Sequence, residues 1–450
     1  MGTTFLSELL TTITDRGRAV LGSAGHDDKV MSAADLAKLC RSLVSRRGEA
    51  TGVAIARDIL AGWETMTGVE RQAFLLHLAR DFGPDASRLD RAVTAWRDDA
   101  SATTLAELQA AVEPKRQELI RRLNLAPGGT QKLVRLREEM FRHQKDHPEL
   151  AALDADFDHL FSSWFNRGFL VLRRIDWSTP ASVLEKIIRY EAVHTIHGWD
   201  DLRRRIAPED RRLFAFFHPQ MGDEPLIFVE VALTDVIPDS IEPLLGEERS
   251  PIRADTAQTA VFYSISNCQD GLRGVSFGNF LIKQVVEDLK REVPRLKTFV
   301  TLSPLPGFAG WLARERAGAP GVLGQATRDA LAPLDDPAWS SNAAIADRIK
   351  EPLLSAAAAY LLKVRTAKGK PIDPVARFHL GNGARLDRLN FLGDRSRKGL
   401  AQAHGLMVNY LYDLDSIEQN HEAFAERGEV VAAPSVKARI TGHGSRPPAN

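Results

Sequence analysis

The stretch Thr259–Leu302, TAVFYSISNCQDGLRGVSFGNFLIKQVVEDLKREVPRLKTFVTL, decides how this chain is read. Thr259–Asn267 is rich in β-branched and aromatic residues, the composition of a buried strand. Within Phe280–Val293, Leu281, Val285, Val286 and Leu289 recur at helical spacing. Leu296–Leu302 is apolar again and reads as another strand. The connection between the first strand and the helix carries Gly271, Gly274 and Gly278. Glycines let backbone N–H groups approach a phosphate, and a helix N-terminus adds roughly half a positive charge there. The turn is no Walker loop, since Gly-Lys-Ser/Thr is absent, and it lacks the dinucleotide spacing. On spacing alone it fits a phosphate cradle and an ordinary strand–helix connection equally well.

Moving outward, the last strand runs into Ser303-Pro304-Leu305-Pro306-Gly307-Phe308. A serine at a strand's carboxyl end faces the crevice where open α/β sheets bind ligands. The G-x-S-x-G elbow of a hydrolase is not present around it. Farther on, Phe378-His379-Leu380-Gly381-Asn382-Gly383-Ala384 puts His379 beside a glycine turn. A histidine there is either exposed at a cleft or a satisfied structural residue. Leu226–Val236 reads as a further strand, Ala181–Glu191 as a helix, and Pro352–Leu362 as a buried helix too short to span a bilayer. The cluster Arg203, Arg204, Arg205, Arg211 and Arg212 reads as a solvated helix face, with contact to an anionic cofactor as the alternative. Residues 431–450 carry no pattern and are expected to be a disordered tail.

Toward the N-terminus the texture is helical. Ser32 followed by Asp35 is a capping-box-like start, and Leu36, Leu39, Cys40 and Leu43 form one apolar stripe. Pro127-Gly128-Gly129 breaks the pattern, with Thr130 as the predicted N-cap of the next helix. His143 and His147 have the i, i+4 spacing of metal ligands, but no Glu follows His143 and a solvated face is the better reading. Asp154, Asp156 and Asp158 resemble the start of a calcium loop, yet its sixth position is His159 instead of glycine. No metal site is expected.

At 450 residues the chain is long enough for two or three domains. Its 59 basic and 59 acidic residues cancel, which removes the usual electrostatic case for a nucleic-acid or anionic-membrane partner. Cys40 and Cys268 are too few for a disulfide framework. The N-terminus lacks the features of a secretory signal, so a cytosolic, soluble protein is expected.

Residues 259–313 and 376–412 together resemble the malonyl-CoA decarboxylase family. The residues that carry the resemblance are FYSIS with GLRGVSFGNFLIKQVV, then LSPLPGFAGWL, FHLGNGARLDRLN and HGLMVNYLYDL. The family-like order extends over nearly the whole chain. The resemblance implies an α+β protein, with a helical oligomerisation domain over 1–164. It implies a catalytic domain over 165–430 similar to the GNAT acetyltransferase fold, with a central mixed sheet. It assigns the CoA pyrophosphate to the loop Arg273, Gly274, Val275, Ser276, Phe277, Gly278 and Asn279. The family's catalytic serine falls on Ser303 and its catalytic histidine on His379, while Asn382 and Tyr412 look like parts of the active-site surround. Leu305 stands where the family often has Ile, a conservative change. The Pro-Pro-Ala-Asn ending is not the peroxisomal Ser-Lys-Leu of some relatives, so a cytoplasmic location is expected.

The implied reaction turns malonyl-CoA into acetyl-CoA and CO2 through a thioester enolate. It needs no metal, biotin or thiamine, because the thioester is itself the electron sink. Ser303 and His379 are expected to hold the carboxylate, with one of them protonating C2. A neutral hydroxyl suits that task, because a cationic partner would stabilise the carboxylate more in the ground state than in the transition state. Two rivals are a CoA-dependent acyltransferase on the same fold and a non-catalytic acyl-CoA sensor. The expected assembly is a homo-oligomer, a dimer or a tetramer.

Overall fold

The computed structural model describes residues 31–45, 48–275, 277, 281–318 and 321–441. The chain separates into two compact units. The first runs to Val171 and takes in Phe217–Pro225 and Gln269–Phe277; the second holds Leu172–Phe216, Leu226–Cys268 and Gly278–Asn450.

Eight helices make up the described part of the first unit before Val171: α1 (Ala33–Val44), α2 (Glu49–Thr65), α3 (Gly68–Asp81), α4 (Ala86–Asp98), α5 (Ala102–Val112), α6 (Lys115–Asn124), α7 (Gly129–His143) and α8 (Leu150–Trp164). Ser32 caps α1 by accepting from the Asp35 N–H, and Leu36, Cys40 and Leu43 are fully buried while Leu39 is half-exposed. Cys40 is core, and burial pushes its thiol up to about 12. The break before α7 is where predicted, but Gly128 is the N-cap instead of Thr130. Gly128 sits at φ +68°, and a Cβ on Gly129 would lie 2.4 Å from the Leu123 carbonyl oxygen. Thr130 is buried in the first turn, where its hydroxyl donates to Asn124. Asp154 pairs with Arg137, and Asp156 with Arg116 and Gln117, so these acids balance cations of neighbouring helices. His143 and His147 pair separately, with Glu139 and with Gln72.

The second unit is built on a mixed sheet of β1 (Val171–Ile175), β2 (Arg211–Phe217), β3 (Pro225–Thr234), β4 (Thr259–Asn267), β5 (Thr298–Thr301), β6 (Ser303–Pro304), β7 (Arg385–Asn390) and β8 (Met407–Leu411). The strand order is β1-β2-β3-β4-β5-β8-β6, with β7 on β8. The expected α+β class with a central mixed sheet is what the chain adopts. β3 and β4 are antiparallel, with a bulge at Glu230/Val231. β4 and β5 are parallel, in register from Thr259↔Thr298 to Phe262↔Thr301. A parallel pair needs a long crossover, and here it contains helix α12 (Leu281–Glu292), which follows α9 (Ala181–Tyr190), α10 (Trp199–Ile206) and α11 (Glu242–Leu245). Leu281, Ile282, Val285, Val286 and Leu289 form its buried face. A core of Val261, Tyr263, Val300, Leu302 and Met407 joins β4, β5 and β8.

The arginine cluster is a solvated helix face only at Arg203 and, in part, Arg204. Arg203 and Arg204 lie on α10, where Arg203 stacks over Trp177. Arg205 is buried, with Nη1 on Glu230 Oε2 at 3.1 Å and further bonds to Asp201 and the Thr195 carbonyl. Arg211 and Arg212 belong to β2 and are buried, the first on the Leu244 carbonyl and the second on Glu292. Each of the three buried cations has a carboxylate or carbonyl partner, which is what makes its burial tolerable. The tail expected from 431 onward is ordered at its beginning. Ala432 bridges to Leu386, Val436 is buried, and Pro434–Thr441 is helical. Its apolar residues bury without a long period. Residues 442–450 lie outside the described part. Among the described residues no helix is long and apolar enough to cross a membrane.

Candidate active site

Side chains alternate along a strand, and that alternation builds the site in the second unit. Thr301 ends β5 and Ser303 opens β6, so the two hydroxyls fall on one face and lie 2.9 Å apart, Ser303 donating. The chain changes partners between them. Val300 is paired with Leu411 of β8, and Ser303 with Val408 of the same strand. Ser303 is therefore held in a short strand of its own, past the end of β5.

His379 arrives from α16 (Pro374–Gly381), which follows α13 (Phe308–Arg316), α14 (Gln325–Ala330) and α15 (Ala343–Lys363). Asp373 caps α16 by accepting from the Ala376 N–H at 2.8 Å, and Pro374 fits the first turn. The Tyr360 hydroxyl of α15 donates to the same carboxylate at 3.2 Å. Gly383 ends the segment at φ +82°, where a Cβ would lie 2.1 Å from the Ile417 carbonyl oxygen. The helix is thus pinned at both ends, and His379 points inward from its last turn.

The imidazole has polar partners on both sides. Its Nε2 is 3.1 Å from Ser303 Oγ, and its Nδ1 is 2.8 Å from the Tyr412 hydroxyl. Tyr410 stacks on the ring, with centroids 4.7 Å apart and planes 25° apart. Burial holds the imidazolium form down to about 3, so the resting histidine is neutral. Burial also raises the Tyr410 and Tyr412 phenols well above their ordinary value. Both stay protonated.

Ser303 and His379 line a cleft of about 220 Å³ whose other walls include Phe262, Val375, Phe378, Pro304 and Ser264. Ser264 donates its hydroxyl to the buried Glu191 carboxylate at 2.8 Å, so it offers lone pairs to the cleft. Glu191 also accepts from Ser266 Oγ and from the N–H groups of Val193 and His194. His194 itself is held neutral, chiefly by burial, which lowers it to about 4.

The structure brings Ser303, His379 and Tyr412 together. Asn382 does not line the cleft; it caps α16, its amide donating to the Phe378 carbonyl. Of the glycine-bearing loop, Ser276, Gly278 and Asn279 lie outside the described residues. Arg273 is exposed, its guanidinium 4.7 Å from the Phe141 ring centroid within the first unit. Gly274 has φ +87°, Val275 is buried and Phe277 is half-buried. The sequence reading missed Thr301 and Tyr410. Their signal was strand parity, since Thr301 and Tyr410 stand two residues from Ser303 and Tyr412.

The neutral histidines have a consequence for stability. The unfolded chain protonates a histidine near pH 6.5, whereas folded His379 resists protonation until about 3. Between these values the unfolded state binds more protons, so stability falls as pH falls. Glu230 acts oppositely, because burial pushes its carboxyl up to about 7. The wild type is therefore expected to lose about 2 kcal/mol more than His379→Gln between pH 7 and 5. Urea unfolding of the two proteins at both pH values measures this; parallel losses would refute it.

Comparison with known proteins places these features. Residues 168–448 match the family model described as malonyl-CoA decarboxylase C-terminal domain, and residues 82–165 match its N-terminal counterpart. The crystal structure of malonyl-CoA decarboxylase from Rhodopseudomonas palustris superposes with a TM-score of 0.88 at 61% identity, covering 91% of this chain and 100% of that one. The Agrobacterium vitis enzyme gives 0.85 at 60%, covering 90% and 99%. Mitochondrial malonyl-CoA decarboxylase from Anser anser anser is 34% identical over 407 residues, which are 83% of this chain and 80% of that protein. With both family domains matched in order and relatives of this similarity aligned over most of its length, the chain belongs to the malonyl-CoA decarboxylase family.

Proposed function

We propose that this protein decarboxylates malonyl-CoA to acetyl-CoA and CO2, with Ser303 and His379 as its catalytic residues. The observation that carries the reading is the contact between Ser303 Oγ and a neutral, buried His379 Nε2, 3.1 Å apart at the wall of a cleft. The substrate carboxylate accepts hydrogen bonds from both groups, Ser303 turning its proton from Thr301 to the carboxylate as it binds, and these turn the C–C bond out of the thioester plane. As that bond breaks, its electrons pass into the thioester enolate and CO2 departs. One proton must be taken up to balance the reaction, and His379 supplies it.

The burial of His379 gives this step its direction. Alone, the ring rejects a proton until about pH 3. The neutral ring therefore binds the carboxylate through its N–H without forming an ion pair, and the proton that balances the reaction is taken up only as charge moves onto the thioester. When the carboxylate leaves as neutral CO2, its charge rests on the enolate beside His379, and the ring passes the proton on. It then protonates C2, directly or through Ser303. General acid catalysis of this kind contributes about 10²–10⁴-fold.

The remaining assignments are part of the same proposal. The loop Arg273–Asn279 leads from β4, which carries cleft residues, into α12, and it is assigned the CoA pyrophosphate. Tyr412 acts through His379, and Asn382 through the end of α16. The helical N-terminal part is assigned a role in homo-oligomer formation, and the location is cytoplasmic.

Purified protein mixed with malonyl-CoA, without added metal or nucleotide, is expected to release acetyl-CoA and CO2 in equal amounts. Malonyl-CoA that is bound but left intact would refute the reading.

A further inference from the structure

The geometry points to Thr301 as a positioning residue that sets the tautomer of His379, an inference that rests on the decarboxylase reading for its catalytic consequence only. Thr301 is fully buried, and its Oγ1 accepts from Ser303 Oγ at 2.9 Å and from the Tyr410 N–H at 3.2 Å. Both lone pairs are thereby used. The residue cannot drift, because its carbonyl accepts from the Asn409 amide at 2.8 Å, and Asn409 is in turn bonded by Asn390.

A serine hydroxyl has a single proton. With that proton donated to Thr301, the contact between Ser303 Oγ and His379 Nε2 requires the hydrogen to come from the ring. Nε2 therefore carries the proton, and Nδ1 is the bare nitrogen. Tyr412 completes the chain, since its hydroxyl lies 2.8 Å from Nδ1 and donates to it. The order is Tyr412 O–H to Nδ1, Nε2–H to Ser303, and Ser303 O–H to Thr301.

This order matters at the cleft. Nε2–H on the Ser303 side presents a donor to an arriving carboxylate, whereas a bare Nε2 would present a lone pair and repel it. A neutral histidine has two tautomers, and its partners choose between them. Ser303 and Tyr412 each carry a hydroxyl able to donate or accept, so neither of them selects a tautomer alone. Thr301 makes the choice by taking the Ser303 proton.

The test uses full-length protein labelled with ¹⁵N-histidine, in which the His379 resonances are identified by their loss in His379→Gln. The wild type is expected to show Nε2 protonated and Nδ1 bare. In Thr301→Val, which keeps the shape and removes the acceptor, Ser303 turns its proton to Nε2 and the ring shifts toward the Nδ1–H form. Thr301→Ser restores the original tautomer. In turnover, Thr301→Val is expected to lower kcat about 10-fold or more, with a lower thermal midpoint because the Tyr410 N–H loses its acceptor, and Thr301→Ser to recover most of both. A wild-type His379 protonated on Nδ1 overturns the inference outright, even if Thr301→Val fails to fold. An unchanged tautomer in folded Thr301→Val does the same. Because the spectra are taken on free protein, they stand apart from the decarboxylase assay. Absence of wild-type turnover would defeat the functional reading and leave the tautomer result in place.

Discussion

Replacing Ser303 or His379 by alanine is expected to lower turnover by about 10²–10⁴-fold while CoA-ester binding stays close to wild type. In the proposed mechanism both groups act at the carboxylate end of the substrate, where hydrogen bonding and proton delivery change most between ground and transition states. The two side chains share one hydrogen bond and one cleft. Residues that act as a unit are strongly non-additive, so the double variant should be scarcely slower than the worse single variant. Steady-state kinetics with malonyl-CoA, together with titration of a non-reacting CoA thioester, separate the two effects. Wild-type turnover in either alanine variant would remove that residue from the mechanism. A parallel loss of binding and turnover would assign it to ground-state recognition.

The second large effect concerns the fold. Arg205→Leu is expected to cost about 3–5 kcal/mol of stability. Arg205 reaches Glu230 Oε2 at 3.1 Å, and Glu230 is completely buried, with the Tyr263 hydroxyl beside it. Burial, reinforced by Glu191, pushes the Glu230 carboxyl up to about 7, and Arg205 opposes that rise. Loss of the guanidinium also deprives Asp201 and the Thr195 carbonyl of a donor. The double variant Arg205→Leu/Glu230→Leu should recover most of the loss, because it removes the stranded acid together with its partner. Urea unfolding of the single and double variants decides the matter. A single-variant loss below about 1 kcal/mol would show that water already compensates the pair.

Much of this fold is legible in the chain itself. β4 and α12 fall almost where the composition and spacing of Thr259–Val293 place them, because strand propensity and the period of an amphipathic helix are local properties. The cap on α1 follows from Ser32 and Asp35 for the same reason. Ser303 and His379 were also visible, one at a strand end and the other beside a glycine turn, although the turn proves to be the end of a helix.

What local patterning could not supply is the partnership of distant segments. Arg211 and Arg212 read as a polar helix face, yet they lie in β2, because Glu292 and the carbonyl of Leu244 wait for them across the unit. Asn382 looked like part of the site and instead finishes α16, a role visible only once that helix has a C-terminus to cap. Ser303 and His379 stand 76 residues apart, and His379 and Tyr412 a further 33. They meet because β8 pairs with both β5 and β6, and α16 is pinned above that junction. Residue types alone thus determined the elements with strong local patterning, such as β4 and α12, and named the side chains proposed for the chemistry. The neutral state of His379, and the hydroxyl that receives the Ser303 proton, were decided by tertiary structure. Both depend on burial and on hydrogen bonds between strands that no short window of sequence contains.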